Sequence, residues 1–170
     1  TGLKFESVAA DLSTFVQGRQ LDDDASIMLR MNNNVKGNLS ISQIATGQEN
    51  NFTISIYGEK GALHWSQENP NYARFSKIGR ADQILTRGGA IQNKNSYAPI
   101  RIPPGHPEGY LEGFAQIYSD AADIILNHKD KNELLALLPS GESGLQIMKF
   151  INASVNSSKN NSIWTDLSSI

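Results

Sequence analysis

Along the first half of the chain apolar and polar positions alternate, and along the second half they recur every three or four residues. Residues 6–16 put Val8, Ala10, Leu12, Thr14 and Val16 on one side, which predicts a strand. After a polar break at 19–24, residues 25–31 turn Ile27, Leu29 and Met31 inward and Arg30 outward. Asn32, Asn33 and Asn34 mark a turn, because Asn tolerates positive φ. Residues 37–45 then return as a third strand, with Leu39, Ile41, Gln43 and Ala45 opposed to Asn38, Ser40, Ser42 and Ile44. A fourth strand at 52–57 alternates Phe52, Ile54 and Ile56 with Thr53, Ser55 and Tyr57. The tight turn Gly58-Glu-Lys-Gly61 leads into a fifth strand at 62–66, and residues 72–78 and 83–86 continue the meander. One antiparallel sheet is expected, apolar on one face and rich in small hydroxyls (Ser40, Ser42, Thr53, Ser55) on the other. That second face is either left to water or meets a partner.

The period then changes. Residues 88–104 carry no clear repeat, and a loop this long is usually functional or disordered. It runs into a helix with Tyr110, Phe114, Ile117, Tyr118, Ala121 and Ile125 on one face, ending near Asn127. A short apolar helical piece at 132–138 is broken by Pro139-Ser-Gly141. A second long helix is expected at 142–157, with Leu145, Met148, Ile151 and Val155 at helical spacing, and Ile163-Trp164 makes a last extended segment. Strands first and helices second is an α+β pattern, with the helices covering one face of the sheet.

The stretch 101–114 joins the two halves. Proline is favoured at the first helical position, so the spacing predicts Pro107 there, His106 at or beside the N-cap and Glu108 in the first turn. An imidazole beside free helical N–H groups suits an oxygen-rich ligand, and the positive helix end should favour the neutral ring. The plainer reading is that His106 only terminates the loop.

Composition narrows the field. The chain has 170 residues, about one domain's worth, and needs no staple to hold a core. A net charge of -2 gives no basic field for nucleic acid, and zero cysteines exclude disulfides and thiolate chemistry. No apolar run approaches a membrane span and no signal peptide is visible, so a cytoplasmic location is expected. The histidines His64, His106 and His128 show no metal-ligand spacing, so no metal site is expected. His64 reads as structural or exposed and His128 as a cap at a helix end. Asp22, Asp23 and Asp24 read as a solvated turn. No nucleophile elbow, P-loop or dinucleotide fingerprint occurs, so the chain holds no obvious complete active site.

Several stretches in order resemble the C-terminal domain of the Gfo/Idh/MocA family of NAD(P)-dependent oxidoreductases. They are Asp23-Asp24-Ala25 before the strand at 27–31; Gly37-Asn-Leu39 with Ser42; Gly47-Gln-Glu-Asn50; and Ile56-Tyr-Gly-Glu-Lys-Gly-Ala-Leu-His-Trp65. They continue as Glu68-Asn-Pro-Asn71; Pro104-Gly-His-Pro-Glu-Gly-Tyr110 with Phe114; and Phe150-Ile-Asn-Ala153 followed by Ser157-Ser158 and Trp164. Each motif alone is weak, and their order and spacing make the resemblance specific. One departure is Glu142-Ser143-Gly144, where relatives tend to have Asp before the Gly.

The resemblance implies a sheet domain that shapes a substrate pocket and commonly dimerises through its open face. The nucleotide fingerprint, a Glu-Lys-Pro lysine and an Asp-x-x-x-His pair belong to the preceding part of such enzymes and are absent from this chain. It therefore implies NAD or NADP in the full-length enzyme, bound by its Rossmann domain, and no catalytic or cofactor-binding residue here. His106 becomes a pocket-lining candidate, with Tyr110 second and Asn50 third. The expected function is the substrate-binding and dimerisation domain of an oxidoreductase acting on a sugar, cyclitol or related polyol, incomplete by itself. The competing class is a stand-alone carbohydrate-binding or protein-interaction module, for which Tyr72, Phe75 and Tyr97 are the loop-side aromatic candidates.

Overall fold

The computed structural model describes residues 2–88, 100–126, 135 and 138–169. The chain folds as two compact units, one of Thr1–Gly47 with Pro139–Ile170 and one of Gln48–Leu138. The architecture is α+β, as the order of patterns predicts.

In the first unit, β1 (Phe5–Ser13), β2 (Asp24–Met31), β3 (Val35–Ser42) and the two-residue β8 (Thr165–Asp166) form an antiparallel sheet in the order β3-β2-β1-β8. Strand register stacks the alternating apolar residues into three rows on one face: Val8, Leu29 and Gly37; Ala10, Ile27 and Leu39; Leu12, Ala25 and Ile41. Gly37 packs closely, since a Cβ there would lie 3.1 Å from Met31 Cε and 3.2 Å from Leu29 Cδ1 and those side chains would have to give way. The β2–β3 turn is the Asn run, and Asn33 takes φ 59°, as that run predicts.

The long helix Gly141–Lys159 covers these rows, with Ala153 and Ser157 fully buried and Phe150 partly so. Ser140 caps it by accepting from Ser143 N at 3.1 Å. Ser143 is the departure from the family pattern, and it forms part of this cap. The helix end closes through Ser162 N, which donates to Ser157 O at 2.9 Å, with Asn161 and Ser162 both at positive φ.

The tie between this helix and the sheet is polar. β8 pairs with β1 only at Ser7 and Val8. Beyond it Ala10 N donates to Ser157 Oγ at 2.9 Å and Leu12 N to Ser158 Oγ at 3.0 Å. Ser157 Oγ in turn donates to Ile163 O at 2.6 Å. Two hydroxyls thus stand where a longer neighbouring strand would be. On the opposite face Arg30 stacks 4.0 Å above the Trp164 ring.

One reading of the acidic run is overturned. Asp23 is not part of a solvated turn; it is 3% exposed. Its carboxylate accepts from Phe15 N at 2.8 Å, Val16 N at 3.0 Å and Arg19 Nη1 at 3.3 Å, closing the loop between β1 and β2. The Phe15 amide most of all, with Val16 and Arg19, holds the Asp23 carboxyl below its ordinary value. A cleft of about 200 Å³ beside this loop is lined by Asp22, Asp24, Ile41, Phe150 and Ile151.

In the second unit, β4 (Thr53–Gly58), β5 (Gly61–Ser66), β6 (Tyr72–Lys77) and β7 (Gln83–Thr86) form a sequential antiparallel sheet. Its apolar rows are Ile54, Trp65, Ala73 and Leu85, and Ile56, Leu63 and Phe75. Gly61 lets the β6 backbone approach the start of β5, because a Cβ there would stand 2.5 Å from Ser76 O. The strands therefore pair as two four-stranded sheets and not as the single sheet expected. Alternation reports which residues share a face, but not which strands pair across a ten-residue connection such as 43–52. Ser40 and Ser42 lie in one sheet, and Thr53 and Ser55 in the other.

Helix α1 (Tyr110–Leu126) belongs to this second unit; the helix Gly141–Lys159 is α2. Its polar side is the inward one: Asp120 is buried and accepts from Gln116 Nε2 at 2.7 Å. The apolar stripe is exposed, with Tyr110 at 66%, Phe114 at 50% and Tyr118 at 74%. The last extended segment begins at Thr165, two residues after the expected Ile163. Tyr97, His128 and most of the 88–104 loop and the 132–138 piece lie outside the described residues.

Ser157→Ala is expected to destabilise the chain by about 1–3 kcal/mol, because it strands the buried Ala10 N–H; urea unfolding measures it. Asp23 gives a pH prediction whose sign follows from its lowered pKa. The stabilisation is complete above the ordinary carboxylate value of about 4 and is lost as pH falls through the lower folded value. Asp23→Asn should therefore lower the urea midpoint at pH 7 and flatten its fall on acidification.

Candidate functional site

Among the described residues, Asn50 and the His106 segment both attach to one turn, residues 67–71 between β5 and β6. The turn is fixed from both sides. Gln67 N donates to Phe52 O at 2.9 Å and Trp65 Nε1 to Pro70 O at 3.1 Å. Phe52 meets the Trp65 ring edge-on, centroids 6.1 Å apart.

Asn50 attaches to one end of the turn. Its Nδ2 donates to Gln67 Oε1 at 2.7 Å, and Asn51 N donates to Glu68 Oε1 at 2.8 Å. The His106 segment attaches to the other end through Asn71. Asn71 Oδ1 accepts from Arg87 Nε at 2.8 Å and from Glu108 N at 3.3 Å.

Arg87, just after β7, was not singled out by any pattern in the sequence. Its Nη1 donates to Ile102 O at 3.0 Å and its Nη2 to His106 O at 2.7 Å. Nη1 also lies 2.5 Å from Glu108 Oε2, with the two side chains 16% and 5% exposed. Oε2 makes no aligned hydrogen bond and is held by this charge contact, while Oε1 accepts from Arg101 N at 2.8 Å. Glu108 is thus a buried anchor.

The helix start differs from the expectation for the same reason. Glu108 is committed to Arg87, Arg101 and Asn71, so it cannot enter a first turn. The helix begins at Tyr110 with Gly109 as its N-cap, whose carbonyl accepts from Gly113 N at 2.9 Å. Glu112 reaches back to accept from Gly109 N at 2.9 Å. That amide above all holds the Glu112 carboxyl below its ordinary value. His106 is neither the N-cap nor beside free helical N–H groups.

What His106 does offer is an exposed, oriented ring. Its Nδ1 lies 3.3 Å from Pro103 O. A carbonyl only accepts, so Nδ1 carries the proton in that contact and Nε2 is left as an acceptor for a hydroxyl. Tyr110, at the helix start, packs on Phe114 with centroids 4.9 Å apart and keeps its face to solvent. His64 is elsewhere, on the β5 strand, with Nδ1 2.8 Å from Ser55 Oγ. Among the described residues no group of three His, Cys, Asp or Glu side chains could hold a metal ion. Among them no helix is long and apolar enough to cross a membrane.

This domain, two antiparallel sheets each with a helix in its unit, belongs to a class that comparison identifies. Residues 1–64 match the family described as the GFO/IDH/MocA C-terminal domain. The chain carries a C-terminal domain of the Gfo/Idh/MocA oxidoreductases. An oxidoreductase from Sinorhizobium meliloti shares 43% identity and superposes with a TM-score of 0.91, over 96% of this chain and 46% of its own. The uncharacterized oxidoreductase YfiI of Bacillus subtilis is 28% identical over 168 residues, 96% of this chain and 43% of its own. The fold is also that of an inositol dehydrogenase homologue from Azotobacter vinelandii, complexed with NADH and myo-inositol. That protein has a TM-score of 0.86 and 24% identity, over 97% of this chain and 45% of its own. The chain thus spans less than half the length of the relatives it matches.

Glu108→Ala removes one partner of a largely buried ion pair and should cost about 3 kcal/mol, the low end for such pairs because Arg87 keeps some solvent. Thermal unfolding of the variant checks it.

Proposed function

We propose that this chain is the substrate-binding and oligomerising part of an NAD(P)-dependent oxidoreductase that acts on a sugar, cyclitol or related polyol. The observation that carries the reading is the shared turn at 67–71, which holds Asn50 at one end and the His106–Tyr110 segment at the other. A polyol needs hydroxyl acceptors and donors fixed in space. His106 Nε2 accepts from a substrate hydroxyl, Asn50 offers an amide group, and Tyr110 offers a ring face and a hydroxyl. The same fold beside NADH and myo-inositol in the Azotobacter protein supports the substrate class.

The nicotinamide, when bound in the longer protein, accepts or returns the hydride. The residues of this chain do not fit that group. Among the described residues neither long helix follows a glycine-rich strand-to-helix turn; α1 follows the proline-rich His106 segment and α2 the Ser140 cap. The residues of this domain bind and orient the carbinol.

In each unit taken by itself, the sheet face that carries the small hydroxyls, Ser40 and Ser42 in the first and Thr53 and Ser55 in the second, is proposed as a surface for homo-oligomer contacts. A stand-alone carbohydrate-binding module gains no support from the two described aromatic candidates. Tyr72 and Phe75 are three positions apart in β6 and so lie on opposite faces.

In the longer protein, His106→Ala should raise KM for the polyol about three- to tenfold, the loss of one neutral hydrogen bond. Affinity for the nicotinamide cofactor should stay unchanged. Equal loss of both, by steady-state kinetics and cofactor titration, sinks the reading.

A further inference from the structure

We propose that Arg87 is the positioning residue of the His106 loop: its guanidinium gathers the carbonyls at the two ends of residues 102–106 onto one cation and so fixes where the imidazole stands. The inference rests on the proposed role of His106 toward substrate and names the residue through which that role is set.

The geometry is specific to a guanidinium. Four acceptors lie around one planar group: Asn71 Oδ1 on Nε at 2.8 Å, Ile102 O on Nη1 at 3.0 Å, His106 O on Nη2 at 2.7 Å, and Glu108 Oε2 beside Nη1 at 2.5 Å. Arg87 is itself fixed, because its backbone N donates to Asn71 O at 2.9 Å. The loop between the two gathered carbonyls has little freedom of its own. Pro103 and Pro104 lock φ, and Gly105 takes φ 90°, where only glycine is unstrained. With Ile102 O and His106 O held, the direction of the His106 Cα–Cβ bond follows.

A lysine at the same position would supply the charge for Glu108 but not the fork. Its three N–H donors cannot meet four acceptors spread in a plane. Arg87→Lys therefore separates loop positioning from bulk stability.

The experiment is amide hydrogen exchange with imidazole NMR on the 170-residue chain, comparing the parent, Arg87→Lys and Glu108→Gln. In Arg87→Lys the amides of Arg101, His106 and Glu108 should exchange about tenfold faster or more, the loss of one charge-assisted bond. The His106 ring resonances should broaden or move towards free-histidine values. The β5 amides of Leu63 and His64 should keep their protection, which a general loss of stability would not allow. Glu108→Gln leaves the carbonyl bonds in place and should change the loop less. Unchanged exchange at 101–108 in Arg87→Lys overturns the proposal, as does a larger effect from Glu108→Gln. These readouts contain no substrate, so they judge the clamp even if His106→Ala leaves polyol KM untouched and the substrate role of His106 fails.

Discussion

β1 must satisfy both of its edges, and only one of them has a full-length strand beside it. β2 pairs along the whole of one edge, while β8 covers the other at two residues and stops. A buried amide without a partner costs as much as a lost hydrogen bond, so the remaining groups of Ala10 and Leu12 dictate what comes next. They require a polar side chain where packing alone would favour an apolar one. Ser157 and Ser158 at the end of α2 meet that requirement, and in doing so they set the helix's height and rotation on the sheet. The apolar contacts of Phe150 and Ala153 with the strand rows then fall into place. Ser157 also takes Ile163 O, so the chain leaving the helix is turned back to deliver β8. One hydroxyl joins strand, helix and returning segment.

Much of this frame was legible in the amino-acid order. Val8, Ala10 and Leu12, and then Ile27, Leu29 and Met31, alternate because they share the face that forms the core, although Ser7 and Ala9 on the other side of β1 are buried as well. The Asn run gave its turn, and the Pro139-Ser-Gly141 break gave the start of α2 to within a residue. Order and spacing of weak motifs also carried the family. What local pattern did not carry were contacts between residues distant in the chain. Asp23 looked like a solvated turn because nothing nearby showed that Phe15 and Val16 would bring their amides to it. Pro107 looked like the first residue of a helix because its own φ suits that place. The preference lost to Glu108, whose three distant partners hold the backbone out of the helix until Gly109.

The candidate site shows the same division. His106 stood out at the junction of a Pro/Gly-rich loop and a helix, and Tyr110 and Asn50 were named through the family resemblance. The residues that hold two of them, Arg87 and Asn71, did not. An arginine after a short edge strand carries no local signature of its partners, since a guanidinium reaches far and two of its four acceptors here are main-chain carbonyls. The glutamate that completes the arrangement lies inside a motif whose histidine draws the eye first. The groups that orient a side chain are readable only in three dimensions.

The self-capped start of α1 has a consequence for the charge of whatever binds beside it. A bare helix N-terminus attracts anions through its unpaired N–H groups and its dipole. Here Glu112 supplies the anion internally by taking the Gly109 amide, and its lowered pKa keeps it ionised through the physiological range. A phosphorylated or carboxylated ligand approaching Tyr110 would meet a carboxylate already in possession of that amide. A neutral one would meet only hydroxyl, amide and ring. On the proposed reading of the site, that carboxylate disfavours acidic ligands by charge repulsion and leaves uncharged polyhydroxy compounds as the better fit.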